Sequence, residues 1–319
     1  AFYRGEIGGA LAGHVQRLGG LLDAGDLAAH RGEWVEPLEG RYRDLTVAEL
    51  PPNSQGSAAL LALHLLDQAG PLPADGPERQ HRLLEAVSSA LAERDAHLTD
   101  PDHMRVPPAA LADPTRARRI GSSPTAPGGT ARGGGGDTAY LCAVDSKGLC
   151  VSLIQSNYSG FGSGVTVPGL GINLHNRGAY FSLDPGHVNV IASGKRTLHT
   201  LMPALARRDG QPWLVFGTMG ADGQLQTQVQ LLAHLVDDGA DPAAALDAPR
   251  WVVDPGNFSV RIEGRFPAAV VDGLRRYGHG LQVLGPYEDC MGHAQLIRLD
   301  SEGLTAAADP RGEGAAGGV

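Results

Sequence analysis

The chain has 319 residues, 42% of them apolar and 19% charged, with a formal net charge of −9. Those proportions fit a folded globular protein long enough for one large core or two lobes. The acidic balance, without a dense Lys/Arg stripe, argues against a nucleic-acid partner, and no apolar run approaches a membrane span.

Ile7, Leu11, Val15 and Leu18 recur on one face and predict a helix over 2–18. Asp26 reads as the N-cap of a short helix ending near His30. Strands are expected from Trp34 to Leu38 and from Leu45 to Leu50, separated by Glu39-Gly40. The turn Pro51-Pro52-Asn53-Ser54-Gln55-Gly56 leads into a leucine-rich helix, and a second helix is expected over 78–96. From Asp100 to Asp137 Pro, Gly, Ala, Ser and Arg dominate, the composition of a linker. Its short basic cluster, Arg116, Arg118 and Arg119, reads as a solvated face.

After Thr138 the pattern turns strand-rich. Residues 139–145 and 149–156 predict a hairpin around Ser146-Lys147-Gly148. In that register Cys142 and Cys150 point to opposite faces, so both, with Cys290, are expected as free thiols. A glycine-rich loop runs from Asn157 to Gly171. Strands over 203–208 and 213–217 flank an Asp209-Gly210 turn, and a helix is expected next over 224–236. A short helix ending near Asp247, a helix over 267–276, and a hairpin over 293–299 and 304–308 complete the chain.

The run Gly133-Gly134-Gly135-Gly136-Asp137-Thr138 joins a flexible stretch to the first strand of a hairpin. A self-cleaving precursor has this layout. The threonine hydroxyl attacks the preceding carbonyl, and hydrolysis of the resulting ester frees an α-amine beside the same hydroxyl, giving nucleophile and base in one residue. Taken alone, the run is equally a linker before an ordinary β-forming threonine.

The residues from Gly136 onward resemble the γ-glutamyltransferase-like family of N-terminal nucleophile hydrolases, the branch that includes cephalosporin acylases. The resemblance begins at Gly136-Asp137-Thr138-Ala139-Tyr140 and continues through Ser156-Asn157-Tyr158-Ser159-Gly160 and His175-Asn176-Arg177-Gly178. It runs on through His199-Thr200-Leu201-Met202-Pro203, Gly217-Thr218-Met219-Gly220, Asp247-Ala248-Pro249-Arg250, Met291-Gly292-His293 and Asp309-Pro310-Arg311. Upstream, Phe2-Tyr3 and residues 51–56 look like the C-terminal part of the family's large subunit.

The resemblance implies an α+β fold, the αββα four-layer sandwich, here expected to be N-terminally incomplete. It implies a large-subunit part at 1–113, a linker at 114–137 ending at a cleavage site between Asp137 and Thr138, and a small catalytic subunit at 138–319. Thr138 is the expected nucleophile and Ser156 its hydroxyl partner. Gly220 and Ala221, between a strand end and a helix start, are the expected oxyanion donors. The family usually carries paired glycines there; a donor survives at Ala221 if that residue needs no positive φ.

Arg177 and Tyr180 stand where glutathione-cleaving members hold the substrate's α-ammonium with an amide and an acidic side chain. A guanidinium repels an ammonium but grips a carboxylate, unless Arg177 pairs with a local acid such as Asp184. His199 and Thr200 stand where those members carry two serines on the α-carboxylate, and Tyr158 is counted with the substrate-binding residues. The expected function is an autoprocessing amidohydrolase/acyltransferase acting on a γ-glutamyl or related carboxylated acyl amide, resolved mainly by water. The alternatives are a true γ-glutamyltranspeptidase acting on glutathione and an unprocessed, inactive scaffold. No cofactor or metal is expected. The expected partners are the acyl-amide substrate and the two cleaved subunits, which stay associated; a higher oligomer and the compartment, cytoplasmic or periplasmic, are left open.

Overall fold

The computed structural model describes residues 1–113, 115 and 138–318. Asp137, the basic cluster and, apart from Thr115, the expected linker lie outside the described residues.

The chain opens with α1 (Glu6–Arg17) and α2 (Ala24–Ala29). Asp23, not Asp26, is the N-cap of α2. Each carboxylate accepts the other residue's backbone N–H at 2.9 Å, a reciprocal capping box in which Asp26 is the third helical residue. Strands β1 (Leu38–Tyr42) and β2 (Leu45–Glu49) form a hairpin turning at Arg43-Asp44. The strand expected from Trp34 is therefore displaced: Trp34 is fully exposed, and Gly40, expected in a turn, lies inside β1. A glycine suits that strand position because a Cβ there would lie 2.8 Å from His64 Nε2.

A six-stranded sheet forms the centre, in the order β1-β2-β7-β8-β12-β13. Its later strands are β7 (Ala204–Arg208), β8 (Gln211–Thr218), β12 (Ala294–Asp300) and β13 (Gly303–Ala308). All its pairs are antiparallel, and β2 pairs with β7 from Leu45↔Arg208 to Ala48↔Leu205. Helices α3 (Gly56–Gln68), α4 (Pro77–His97) and α6 (Gly223–Leu232) cover one face; a four-residue α5 (Pro108–Leu111) precedes the linker. Leu60, Leu63, Leu84 and Val229 of the helices join Val47, Leu214 and Phe216 of the sheet in one core. The last turns of the expected 224–236 helix are wound differently: residues 233–237 are π-helical, and Tyr42 donates its hydroxyl to Asp237 there.

The opposite face carries a two-stranded ribbon, β3 (Thr138–Val144) and β4 (Cys150–Ser156). Alternation gives it an inner row that includes Thr138, Tyr140, Ser152 and Ser156, and an outer row in which Leu141, Val151 and Leu153 are exposed. Tyr140 lies flat on β8 at Gly217, where a Cβ would sit 2.3 Å from its ring. Ser152 Oγ lies 2.8 Å from the Tyr140 hydroxyl. The hairpin closes at Val144↔Cys150, which puts Cys142 and Cys150 on the same inner face, two residues out of register. The expectation of opposite faces is thus wrong, although both thiols, and Cys290, are free.

The fold is α+β: helices, a six-stranded sheet and, among the described residues, a ribbon as the second β layer. A short pair, β5 (Thr166–Val167) with β6 (Ile172–Asn173), closes the glycine-rich loop. A lateral sheet of β9 (Trp251–Val253), β10 (Val260–Glu263) and β11 (Leu281–Leu284) packs beside α7 (Pro242–Asp247) and α8 (Ala268–Arg276).

Candidate active site

Thr138 begins β3 directly opposite Ser156, the last residue of β4. Cross-strand partners point to the same side of a ribbon, so the two hydroxyls meet: Thr138 Oγ1 donates to Ser156 Oγ at 2.8 Å. Ser156 Oγ also accepts the backbone N–H of Tyr158 at 2.8 Å. Ser156 is thereby held by the chain's exit from β4, and Thr138 by its own strand.

Facing this pair is the turn between β8 and α6. Gly220 has φ +129° and Ala221 φ +50°. The condition placed on Ala221 therefore fails. It occupies the left-handed region, at a cost of about 1–2 kcal/mol for a residue with a Cβ. The donor itself is kept: among the described residues neither the Gly220 nor the Ala221 amide donates a hydrogen bond, while both carbonyls accept from the first turn of α6. The strained backbone is braced from two directions. Gln55 Nε2 donates to Ala221 O at 3.2 Å, and Gly292, itself at φ +83°, packs so closely that a Cβ there would lie 2.7 Å from Met219 O.

Behind the turn is a buried polar network. Arg94 Nη1 donates to Asp222 Oδ1 at 2.6 Å and to Gln55 Oε1 at 2.7 Å, and Arg94 Nε donates to Asp95 at 2.7 Å. Burial works against the Arg94 charge, and Asp95 and Asp222 more than restore it, so the guanidinium stays protonated. The Tyr180 hydroxyl donates to the other Asp222 oxygen at 3.1 Å. Between Thr138 and this turn opens a cavity of about 590 Å³, whose lining includes Thr138, Gly220, Ala221, Asp222, Arg261 and His293.

Of the expected substrate-binding residues, none is in that lining. Tyr180 is 2% exposed and stacks at a tilt on Tyr158, with centroids 4.8 Å apart. Burial, then Asp222, pushes its phenol well above the ordinary range. Arg177 is 8% exposed and lies over the Tyr158 ring at 5.4 Å, beside the Ser156–Tyr158 corner. Its Nη1 has no hydrogen-bond partner among the described residues, and burial lowers its pKa. Asp184, the acid considered for it, instead accepts the Gly186 N–H at 2.9 Å. Thr200 is buried, with its carbonyl bonded to Gln55. Burial, with Arg177 and Arg196 nearby, pushes the His199 imidazole down to about 4, so it is neutral and its Nδ1 accepts the Leu201 N–H at 3.2 Å.

Residues 53–55 explain why that segment matters. Asn53 Nδ2 donates to Thr197 O, Ser54 Oγ to Leu201 O, and the Gln55 N–H to His199 O, at 2.6, 2.6 and 3.1 Å. Asp309 and Glu263 similarly bind Arg250 and Arg311 in the interior, and Arg250 Nη1 donates to Gly292 O at 3.0 Å. The Arg250 and Asp309–Arg311 segments thus support the Gly292 brace behind the turn. Arg94, Gln55 and Asp222 are the site-supporting residues that reading the sequence did not single out. Asp222, one residue past Ala221, was the one with a signal.

The family model described as gamma-glutamyltranspeptidase matches residues 1–319. Among curated relatives, the chain is 40% identical to "Glutathione hydrolase-like YwrD proenzyme" of Bacillus subtilis over 328 aligned residues, covering 100% of this chain and 62% of that protein. It is also 40% identical to "Oxamate amidohydrolase proenzyme" of Klebsiella pneumoniae, with 100% and 62% coverage. The chain thus spans about three-fifths of the length of these relatives. A crystal structure of cephalosporin acylase from Bacillus halodurans superposes with a TM-score of 0.89 at 38% identity, covering 97% of this chain and 58% of that one. With the Thr138 hairpin, the glycine-rich turn and these matches in agreement, the chain belongs to the gamma-glutamyltranspeptidase family of N-terminal nucleophile hydrolases.

Proposed function

We propose that residues 138–319 form the small subunit of an autoprocessing amidohydrolase, cut between Asp137 and Thr138, that acts on acyl amides carrying a carboxylate. The observation that carries this reading is the Thr138–Ser156 hydroxyl pair facing two unengaged amides across a cavity.

After cleavage, the α-amine of Thr138 has an intrinsic pKa of about 8, so a useful share is neutral near pH 7–8 and accepts the hydroxyl proton. Thr138 Oγ1 attacks the amide carbonyl, and the oxygen gains negative charge. The Gly220 and Ala221 amides donate to that oxyanion. The carbon–nitrogen bond breaks, the amine leaves with the proton, and an ester on Thr138 remains. Water adds to the ester, returns the proton to Thr138, and releases a carboxylic acid. Ser156 accepts from the Thr138 hydroxyl and orients it.

The substrate class rests on Arg177. A buried guanidinium without a described carboxylate partner favours an anionic acyl group. The relative named as an oxamate amidohydrolase fits the same preference, since oxamate carries a carboxylate on its amide carbonyl. His199, held neutral, adds no second cation that would have to be neutralised.

Intact mass of the purified chain tests processing: two fragments split before Thr138, and one uncut chain in Thr138→Ala. Turnover of glutaryl-p-nitroanilide, γ-glutamyl-p-nitroanilide and oxamate tests the substrate class. Preference for the γ-glutamyl compound with stimulation by dipeptides would replace this reading with glutathione-type transfer. A persistent single chain would replace it with an inactive scaffold.

A further inference from the structure

Helix α4 carries His81 and Glu85 one turn apart, so both side chains lie on one stripe of the helix. His279 lies just past α8 and meets that stripe: His81 Nδ1 and His279 Nε2 are 2.8 Å apart. One donor atom from each of His81, Glu85 and His279 lies within 4.8 Å of the others. We propose that these three side chains form a zinc-type metal site that latches α4 to the segment after α8.

The chemistry of the set supports a transition metal rather than magnesium or calcium. Two imidazole nitrogens and one carboxylate oxygen suit Zn²⁺, Co²⁺ or Ni²⁺, whereas the hard cations prefer all-oxygen shells. Zinc–nitrogen bonds of about 2.0–2.1 Å in a tetrahedron place ligand atoms about 3.3 Å apart. The two imidazoles therefore need to part by about half an ångström, within the reach of side-chain torsions. Two bare imidazoles at this distance satisfy only one donor and one acceptor between them. The Glu85 carboxylate is half-buried and makes no hydrogen bond or ion pair among the described residues. Burial pushes the Glu85 carboxyl up and the His279 imidazole down, so His279 is already in the neutral form a metal needs. The Tyr277 ring stacks on His81 at 4.2 Å and 4°, fixing the plane in which its nitrogen is offered.

The site's place gives it a structural rather than a catalytic character. None of its residues lines the cavity beside Thr138. The helices it joins already touch closely: a Cβ on Gly273 of α8 would lie 2.2 Å from Pro77 at the start of α4. Because α4 precedes Thr138 and His279 comes after it, the ion would bridge the two sides of the proposed cleavage point. The site itself does not depend on that cleavage.

The test uses the untagged full chain, stripped with chelator and then dialysed against a small excess of Zn²⁺. We expect stoichiometric zinc by elemental analysis and a Tm a few degrees above the chelated sample. Co²⁺ should give the visible d–d absorption of a low-coordinate site without a thiolate charge-transfer band. His279→Ala should abolish that absorption. Glu85→Gln should weaken Co²⁺ affinity at least about 10-fold while leaving the chelated Tm near that of the parent. Substoichiometric zinc would overturn the site. So would binding undiminished in Glu85→Gln and in His81→Ala/His279→Ala, or a thiolate band pointing to the cysteines. If His279→Ala fails to fold, the isosteric Glu85→Gln still decides.

Discussion

On one side of the cavity, Thr138 stands at the end of a two-stranded ribbon whose outer row is exposed to solvent. On the other, the Gly220–Ala221–Asp222 turn rests on Gln55, Arg94 and Tyr180, all of them buried. The first wall is built from residues 18 positions apart that pair across a hairpin. The second draws on residues more than a hundred positions away, and on a buried cation shared between two carboxylates. The nucleophile's wall is thus local and weakly tied, whereas the oxyanion wall is strained and must be held from a distance. Strain at a functional turn persists only where its surroundings over-determine it.

The sharpest way to break this contrast is Arg94→Ala. It leaves Asp222 and Asp95 without their cation in the interior, and we expect a loss of about 3–5 kcal/mol in urea unfolding. Arg94→Lys should not restore it, because an ammonium cannot serve Gln55, Asp95 and Asp222 in the same fork. A loss under about 1 kcal/mol for Arg94→Ala would mean that the turn is held by its own backbone. Next in size is Gly217→Ala. Its new methyl would meet the Tyr140 ring, and overpacking of that kind costs about 1–3 kcal/mol. Because the displaced element is the ribbon, activity should fall along with stability, and a second change of Tyr140→Leu should recover part of both.

Ser156→Ala probes the local wall. It removes one hydroxyl partner, so we expect turnover to fall about 10-fold, with unfolding free energy changed by no more than about 1 kcal/mol. An equal loss of stability and turnover would show that Ser156 builds the ribbon rather than orients Thr138. The smallest expected effect is on the opposite wall. Ala221→Gly relieves a positive φ and should stabilise the chain by about 1 kcal/mol, offset in part by glycine's greater freedom when unfolded. If Ala221→Gly destabilises instead, the Ala221 methyl has a packing role that outweighs its strain.

The same contrast governs what could be read from the sequence. The β3–β4 hairpin, with Thr138 facing Ser156, was legible because alternation and turn chemistry act over a few residues. The strand–helix junction at Gly220–Ala221 was legible for the same reason. Arg94 was not: in sequence it is an ordinary basic residue in the last turn of a helix, and only the tertiary fold brings Asp222 to it. Local reading also failed where one side chain reset a turn. Asp145 Oδ1 accepts the N–H groups of Lys147 and Leu149, both at 2.8 Å, which widens the loop and closes the ladder at Val144↔Cys150. That one-residue shift moves Cys150 to the same face as Cys142. In β1, the pattern Trp34-Val35 resembles a strand start, but the pairing partner in β2 reaches only as far as Leu38.

The pairing of β2 with β7 has a consequence for how the molecule could ever come apart. Leu45 to Ala48 hydrogen-bond to a strand that lies beyond Thr138, and the 53–55 segment is sewn to residues 197–201 in the same way. A break in the backbone anywhere between residues 113 and 138 would leave two polypeptides that share one sheet and one core. Dilution could not separate them, because neither piece would keep a complete hydrophobic face of its own. The molecule's assembly is in that sense a single-use event. The continuous chain brings the strands together once, at the high effective concentration of a tether, and a broken one that has unfolded faces a second-order search to find them again.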